Sequence, residues 1–278
     1  MPANLYALGA IALWVSLATL GVALKHIPPF LLTGIALLMG SLLALPFVLK
    51  DRRAWRIPPG TLVLGVCGLF GYHFLLFIAL RHAPPVEANL VNYLWPLLMV
   101  VLAPLLLVGL RLRALHVVAA LLGFGGAAIA ILGASQGVTG RWSWGFVPAL
   151  ASAFIWASYS LLTQRVKPFP TAAIGLFGGV SGLLSLLCHW VLEPQVMLSA
   201  HDWLLLAVMG LGPLGGAFFL WDKALKLGDA RQIGILSYLT PLGSTALLML
   251  VSGRPLSWSI GLSAVMILGA ALLGTRVK

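Results

Sequence analysis

Long apolar stretches, separated by short breaks of charged, polar or proline residues, make up most of the chain. A helix needs roughly 20 mainly apolar residues to cross the hydrocarbon core of a bilayer, and stretches of about that length recur along the whole sequence. The ten predicted spans are residues 4–24, 29–49, 61–80, 87–108, 114–134, 144–164, 170–190, 202–221, 231–251 and 256–275. The pattern predicts an all-α polytopic membrane protein with ten transmembrane helices. We read the first stretch as an uncleaved span, because no Lys or Arg precedes Lys25 as it would in a signal peptide.

Composition supports a lipid environment. Of the 278 residues, 61% carry apolar side chains and only 8% are charged. A soluble domain has roughly 25% charged residues, so the fraction here is too low to cover a water-facing surface and excludes a soluble two-domain enzyme. The two cysteines, Cys67 and Cys188, both lie in apolar stretches, where a small buried side chain is favoured over a disulfide.

Basic residues follow the breaks in alternation and so predict the orientation. Lys and Arg accumulate in cytoplasmic loops, and thirteen of the seventeen occur in every second connection or at the C-terminus. These thirteen are Lys50, Arg52, Arg53, Arg56, Arg111, Arg113, Arg165, Lys167, Lys223, Lys226, Arg231, Arg276 and Lys278. We therefore expect both termini to be cytoplasmic. The formal charge of +11 is explained by these topology signals, so no nucleic-acid partner is expected.

The sequence contains an internal repeat. Trp14, Ser16, Lys25 and Pro28 recur at a spacing of 142 as Trp156, Ser158, Lys167 and Pro170, and the segment 93–96 recurs at a spacing of 145 as 238–241. These matches predict two homologous units of five spans each, residues 1–138 and 139–278. Because five is odd, the second unit must enter the membrane from the opposite face. Inverted repeats place a substrate site near the midplane and allow access to alternate between the two sides.

This layout resembles the drug/metabolite transporter superfamily in its EamA-type branch. Within that branch, the segments Val91–Pro96, Phe154–Tyr159 and Ser237–Pro241 resemble the bacterial aromatic amino acid exporters. The resemblance implies an inner-membrane protein that exports small metabolites. One departure is visible: many EamA-type repeats carry a Gly-Glu pair after the fourth span, whereas here Leu110 follows Gly109 and Arg254 follows Gly253. A role for that glutamate is therefore not implied.

Polar residues in the fourth and ninth spans are candidates for the substrate site. Asn92, Tyr93 and Pro96 lie at spacings that place them on one helix face, with Trp95 at its flank. The ninth span repeats the pattern, and its candidates are Ser237, Tyr238 and Pro241. A proline frees a backbone carbonyl, which a membrane tolerates only where protein or a cavity satisfies it. Both prolines are predicted helix breaks or gates beside a cavity. The alternative is a kink with ordinary interhelical hydrogen bonds.

Aromatic residues placed deep in other spans complete the predicted site. They are Trp14 in the first span, Tyr72, His73 and Phe77 in the third, and Trp156 and Tyr159 in the sixth, with Ser158 between the last two. Such rings supply flat apolar walls for an aromatic or aliphatic side chain. Asn92, Ser158 or Ser237 is expected to hold a zwitterionic head group. Trp55, Trp142, Trp144, Trp203 and Trp258 lie near span ends, as in an interfacial belt.

Ionisable residues leave the energy source open. No Asp or Glu lies near the centre of a predicted span, which favours a uniporter or an exchanger. His73 is the exception, either as a proton relay or as a residue hydrogen-bonded to a neighbouring helix. Neither metal-ligand spacing nor a nucleophile motif occurs, so we expect no metal, no cofactor and no enzyme.

The sequence thus favours an alternating-access exporter of aromatic and other apolar amino acids, with the substrate and the lipid bilayer as its partners. Another cargo of the superfamily, such as a drug or a nucleoside, is the first alternative. A membrane-embedded enzyme or a helical scaffold is the second. The oligomeric state is left open, a monomer included.

Overall fold

The structure, a computed structural model, describes residues 2–134, 142–253 and 258–276. Across these ranges the chain forms ten helical segments and no strand. We label them α1 to α10: Pro2–Ala23, Pro29–Lys50, Pro59–His82, Pro85–Leu106, Ala114–Ala134, Phe146–Leu162, Ala173–Leu192, Ala200–Leu227, Ala230–Val251 and Trp258–Arg276. The predicted unit boundary between residues 138 and 139 lies outside the described residues, as do the first residues of the predicted span 256–275.

The all-helical prediction is confirmed, although the segments differ in length. Eight of the described segments, α1–α5 and α7–α9, are long and apolar enough to cross a membrane, whereas α6 and α10 are shorter apolar helices. One boundary differs clearly from the prediction: α8 continues to Leu227 rather than ending at residue 221. The helix therefore includes Trp221 and Asp222, which the sequence pattern had placed at or beyond its end.

Prolines and glycines mark the helix ends for ordinary stereochemical reasons. Pro29, Pro59 and Pro85 are the first residues of α2, α3 and α4, where the missing backbone N–H costs nothing. Gly109 follows α4 with φ of 85° and Gly253 follows α9 with φ of 67°, a left-handed conformation that only glycine adopts without strain. The two glycines therefore reverse the chain at corresponding places in the two halves.

Several helices are interrupted where the internal repeat matches. A wider π-helical turn occupies Cys67–Gly71 in α3, and another occupies Gly212–Gly216 in α8, at the repeat spacing of 145 residues. The regular helix of α4 stops at Asn92 and resumes at Trp95, and that of α9 stops at Leu236 and resumes at Leu239. Each predicted helix-break proline, Pro96 or Pro241, thus lies near the start of the resumed helix. Irregular turns of this kind are frequent at functional sites.

The two halves interlock rather than lying side by side. The most extensive helix packing joins α5 to α10, α2 to α7, α1 to α8 and α3 to α6. Every one of these pairs takes one helix from residues 2–134 and the other from residues 142–276. The first helix of each half therefore packs on the third helix of the other, and any cavity at the centre has walls from both halves.

Small residues allow the closest of these crossings. A Cβ atom added to Gly40 in α2 would lie 2.7 Å from the carbonyl oxygen of Gly210 and 2.7 Å from Cα of Gly215. One added to Gly182 in α7 would lie 2.9 Å from the carbonyl oxygen of Gly34. The backbones of α2, α7 and α8 thus touch directly, as small residues permit in membrane helices.

Substituting Gly40 tests this crossing. We expect Gly40→Ala to destabilise the protein by about 1–3 kcal/mol, because its methyl group meets backbone atoms that cannot move aside. Gly261→Ala in α10 is the matched control, since a Cβ there meets nothing within 4 Å. Thermal unfolding in detergent measures both. Equal melting temperatures for the two variants would contradict a close backbone crossing at Gly40.

Candidate functional site

A cavity of about 720 Å³ lies at the centre of the helices. Its walls come from α1, α2, α3, α4, α6, α8 and α9, and so from both halves of the chain. The volume falls within the range of pockets that enclose a small organic ligand, and most of the lining is apolar with a few polar groups, as such pockets usually are. One chain thus supplies all the residues that line a cavity large enough for a small organic ligand.

Aromatic rings from both halves form the floor of this cavity. The ring centroid of Trp156 lies 6.0 Å from that of Trp14, 5.4 Å from that of Tyr72 and 5.6 Å from that of Phe218. Trp221 packs beneath them, with its centroid 5.1 Å from that of Trp14. Most of these pairs meet edge-on or tilted, arrangements that the aromatic quadrupole favours. The floor is thus a rigid aromatic surface suited to a flat apolar group.

Hydrogen bonds fix two of the floor rings. The indole Nε1–H of Trp14 donates to the backbone carbonyl of Pro213, at 3.0 Å, inside the π-helical turn of α8. The indole Nε1–H of Trp221 donates to Oγ of Ser160 in α6, at 3.1 Å. Each bond runs between the two halves or between two helices of the second half. The rings are therefore held in place before any ligand arrives.

Polar groups line one wall above this floor. Nδ2 of Asn92 donates to the Tyr72 hydroxyl at 3.1 Å, and Oγ of Ser152 donates to Oδ1 of Asn92 at 3.0 Å. Nδ1 of His73 lies 2.7 Å from the carbonyl oxygen of Leu69. Because a carbonyl only accepts, Nδ1 carries the proton and Nε2 of the neutral ring is an acceptor. Asn92 is thus oriented by two partners, and His73 by the π-helical turn.

Polar contacts between helices close the end of the molecule beyond the aromatic floor. Nε2 of Gln164 donates to the carbonyl of Leu225 at 2.8 Å, and Nζ of Lys226 donates to the carbonyl of Phe169 at 2.8 Å. Asp222 accepts from Lys226 and from Oγ1 of Thr171, each at 2.6 Å. No residue of the α6–α7 or α8–α9 connection, both of which the structure describes, lines the cavity.

A second polar tie lies beside this end, in the α8–α9 connection. Arg231 donates to both carboxylate oxygens of Asp229 and to the backbone carbonyl of Arg111, the last at 2.6 Å. Burial acts to raise the pKa of Asp229, but the hydrogen bonds and charge of Arg231 outweigh it and hold the pKa below its ordinary value. The carboxylate therefore stays ionised and keeps the α4–α5 connection fastened to α9.

The cavity extends in the opposite direction, to the α1–α2 connection and the end of α3. Lys25 and Arg81 line it there, together with apolar residues such as Leu24 and Ile27. Arg81 donates to Oε1 of Glu193 at 2.7 Å. We call this end, lined by Lys25, Ile27 and Arg81, the mouth of the cavity.

Most of the residues predicted from sequence meet in this cavity. Eight of the predicted substrate-binding residues line it, namely Trp14, Tyr72, His73, Phe77, Asn92, Tyr93, Trp95 and Trp156. The structure places the other predicted residues outside the lining, namely Ser158, Tyr159, Ser237, Tyr238, Pro96 and Pro241. Tyr159 packs behind Trp156, with ring centroids 5.4 Å apart.

The residues of α9 and α6 that lie outside the lining have clear structural surroundings. Oγ of Ser237 donates to the carbonyl of Gly234 at 2.5 Å, and the buried Tyr238 ring packs against Gly123 of α5. Oγ of Ser158 is buried, and no described residue is its hydrogen-bond partner. The residues of α9 that line the cavity are instead Thr240 and Ser244. The second half therefore offers the ligand a different set of polar groups from the one that simple repetition predicts.

Sequence reasoning missed several residues of the site. Phe218 and Trp221 of α8 were not singled out, although their three-residue spacing within an aromatic run is the signal of a shared helix face. Lys25 and Arg81 also line the cavity, although the sequence places them at span ends and offers no site signal for either residue. Nothing in the sequence alone brings them to the same cavity.

Comparison with known proteins gives a consistent result. Residues 1–132 and 143–276 each match the model of the EamA-like transporter family. A protein of Ancylobacter novellus named aromatic amino acid exporter YddG is 39% identical over 98% of this chain and 96% of that protein. Its namesake in Escherichia coli is 30% identical over the same shares, 98% and 96%. A solved crystal structure with 37% identity superposes with a TM-score of 0.90 over 99% of this chain and 98% of that one.

The apolar helices and the enclosed cavity define a multi-pass membrane transporter. The two family matches cover nearly the whole sequence, so the chain belongs to the EamA-like transporter family.

Asn92 offers a direct test of the polar wall. We expect Asn92→Ala to lower transport efficiency about tenfold while expression persists, because the substrate loses a group that Tyr72 and Ser152 hold in place. Ser152→Ala is the control, since it removes one support of Asn92 and leaves the amide, and its effect should be smaller. Initial transport rates in liposomes measure both. Unchanged kinetics in the Asn92 variant would remove this residue from the site.

Proposed function

We propose that this protein exports aromatic amino acids, and related apolar ones, across a bacterial inner membrane. The observation that carries the proposal is the aromatic floor of the cavity, in which Trp14, Trp95 and Trp156 present ring surfaces to one enclosed space. An aromatic side chain buries a large apolar area and packs well against such rings. The names of the two relatives, which match nearly the full length of this chain, support the same substrate class.

For the architecture we propose ten transmembrane helices in two inverted five-helix units, residues 1–138 and 139–278, with both termini in the cytoplasm. Three observations support it. The family model matches the chain twice, at residues 1–132 and 143–276. The π-helical turns Cys67–Gly71 and Gly212–Gly216 recur at the repeat spacing. The basic residues follow the distribution that orients membrane proteins.

This orientation gives the cavity a direction. The α1–α2 connection then lies on the outer side, so that the mouth faces outward and the end tied by Gln164, Lys226 and Arg231 faces the cytoplasm. The structure corresponds to an outward-facing state of an alternating-access carrier. Transport would require the polar ties to open while the mouth closes. Because one chain encloses the cavity, a monomer is sufficient for this cycle.

The residues that line the cavity bear on what drives transport and on the alternative functions. No Asp or Glu occurs in the lining that the structure describes, which supports exchange or facilitated export and argues against a cationic drug as cargo. His73 lines the cavity and is the group through which a proton gradient would act. The family match and the transporter relatives support the proposal that the protein is not an enzyme.

Counterflow with the purified protein in liposomes tests the substrate class. Vesicles loaded with unlabelled phenylalanine and supplied with labelled phenylalanine outside should accumulate label. We expect Trp156→Leu to reduce the initial rate at least about tenfold, because the central ring of the floor is lost. Trp190→Leu is the matched control, since that ring is 73% exposed on α7.

Two further conditions make the counterflow result decisive. Repeating it with and without a pH gradient separates facilitated exchange from proton coupling, and uptake only with the gradient would make His73 the first residue to test for coupling. No uptake of any aromatic or aliphatic amino acid under either condition would overturn the proposed substrate class.

The proposed orientation is tested by cysteine labelling. In a background with Cys67 and Cys188 replaced by serine, Lys25→Cys should react with a membrane-impermeant maleimide added to intact cells, because Lys25 lies in a proposed outer connection and is exposed. Arg113→Cys, in the α4–α5 connection, should react only after the cells are opened. The reverse pattern would invert the proposed topology.

A further inference from the structure

The mouth of the cavity carries positive charge that no nearby acid of the lining offsets. Among the lining residues that the structure describes, the charged ones are Lys25 and Arg81, and none is acidic. Lys25 is exposed and the Arg81 side chain is 41% exposed, so a solute entering the mouth can reach both charges. A solute that carries a carboxylate would therefore be favoured in the mouth over its uncharged or cationic analogue.

Arg81 is positioned for such a contact by a buried carboxylate. Glu193, whose side chain is fully buried, accepts from Arg81 at 2.7 Å through a single guanidinium nitrogen. The guanidinium carbon also lies 5.7 Å from the centroid of the Phe30 ring. A guanidinium has five N–H donors, and the Arg81 side chain remains 41% exposed. The residue is thus anchored on one side and has donors left for a ligand on the other.

Glu193 accepts hydrogen bonds from groups other than Arg81, and this leaves part of the positive charge at the mouth uncompensated. Its oxygens also accept from the backbone N–H of Phe30 at 3.1 Å and of Leu31 at 3.2 Å, at the start of α2. Nδ1 of His189 also lies 3.1 Å from Oε2 of Glu193. The carboxylate is therefore shared among the first turn of α2, His189 and Arg81, and it neutralises Arg81 only in part.

The mouth is separate from the polar wall deeper in the cavity. Arg81 follows His73 by eight residues in α3, which corresponds to roughly 12 Å along a helix. Arg81 lines the cavity beside Lys25 and Ile27 of the α1–α2 connection. A contact at Arg81 thus lies nearer to the exit than a contact at His73.

The corresponding residue of the second half gives a useful contrast. Lys226 occupies the place of Arg81 at the repeat spacing of 145. It donates to the carbonyl of Phe169 and to Asp222, and it does not line the cavity. In this state the equivalent cation therefore lines the cavity at the mouth and does not line it at the opposite end.

We propose that Arg81, positioned by Glu193, binds the carboxylate of the substrate at the mouth and selects solutes that carry a free carboxylate over their amides and amines. This inference rests on the proposed function for the identity of the cargo. The chemistry of the site itself depends only on the residues of the mouth.

Calorimetric titration of the purified protein in detergent tests the site without transport. The probes are 3-phenylpropanoate and its neutral isostere 3-phenylpropanamide, each also titrated into empty micelles. The wild-type protein should bind the carboxylate at least about tenfold more tightly than the amide, and Arg81→Gln should bring the two affinities together. Arg81→Lys should retain part of the preference, since it keeps the positive charge but loses the planar guanidinium that can donate two hydrogen bonds to one carboxylate.

Two further variants control for folding and for charge in general. Arg81→Gln leaves Glu193 buried without its ion-pair partner, so the double variant Arg81→Gln/Glu193→Gln removes both members and should show the same loss of preference. Arg52→Gln, on the exposed turn Arg52–Trp55 outside the cavity, should keep the wild-type preference. A purely structural role for Arg81 would instead weaken both probes equally.

The outcomes separate this inference from the proposed function. Absence of a carboxylate preference in the wild type, or its persistence in both Arg81→Gln variants, would overturn the role of Arg81 even if phenylalanine counterflow succeeds. An Arg81-dependent preference with no amino acid counterflow would support the carboxylate site and overturn the proposed cargo.

Discussion

Lipid offers no hydrogen-bond partners, so every irregular turn of a membrane helix must be satisfied from within the protein. In this chain the satisfying groups are the side chains of the site. His73 donates to the carbonyl of Leu69 in one π-helical turn, and Trp14 donates to the carbonyl of Pro213 in the other. The cavity and the irregular turns therefore depend on each other. The turns leave backbone carbonyls that cavity side chains must hydrogen-bond, and those hydrogen bonds orient the rings that line the cavity.

Interlocking of the halves has a similar effect on the cavity as a whole. The floor needs Trp14 and Trp95 from the first half and Trp156, Phe218 and Trp221 from the second. Neither half alone could form an aromatic surface of this extent. Since α1 packs on α8 and α6 on α3, a displacement of one half moves walls on both sides of the ligand. The end of the cavity that is closed by polar contacts and the mouth at the other end are thus linked through the same interface between the two halves.

Much of this site could be predicted from the sequence, because polar and aromatic residues are conspicuous in apolar spans. Asn92, Tyr72 and Trp156 were identified on that basis and all line the cavity. Ser237 was expected to repeat the role of Asn92 and lies outside the lining. Its hydroxyl donates within its own helix to the carbonyl of Gly234, at 2.5 Å, and Thr240 and Ser244 are the residues of α9 that line the cavity.

Other features had no signal that a single sequence can carry. Trp221 was missed because the apolar run suggested that its helix ended there, whereas α8 continues for another turn and more. The position of Glu193 depends on three helices meeting, since its partners come from α2, the end of α3 and α7. Long-range meetings of this kind follow from the packing of the whole chain, and spacing along one helix does not contain them.

The π-helical turn of α3 also sets a length requirement. A π turn holds one residue more than the α-helical path it replaces and absorbs that residue locally, so the helix after it keeps its direction. Deleting one residue from Cys67–Gly71 would restore a regular helix and still leave α3 long enough to cross the membrane. The same deletion would return the carbonyl of Leu69 to the hydrogen bonds of the helix itself, and His73 would lose the acceptor that orients its ring. The number of residues in α3 is therefore set by the orientation of His73 as well as by the thickness of the bilayer.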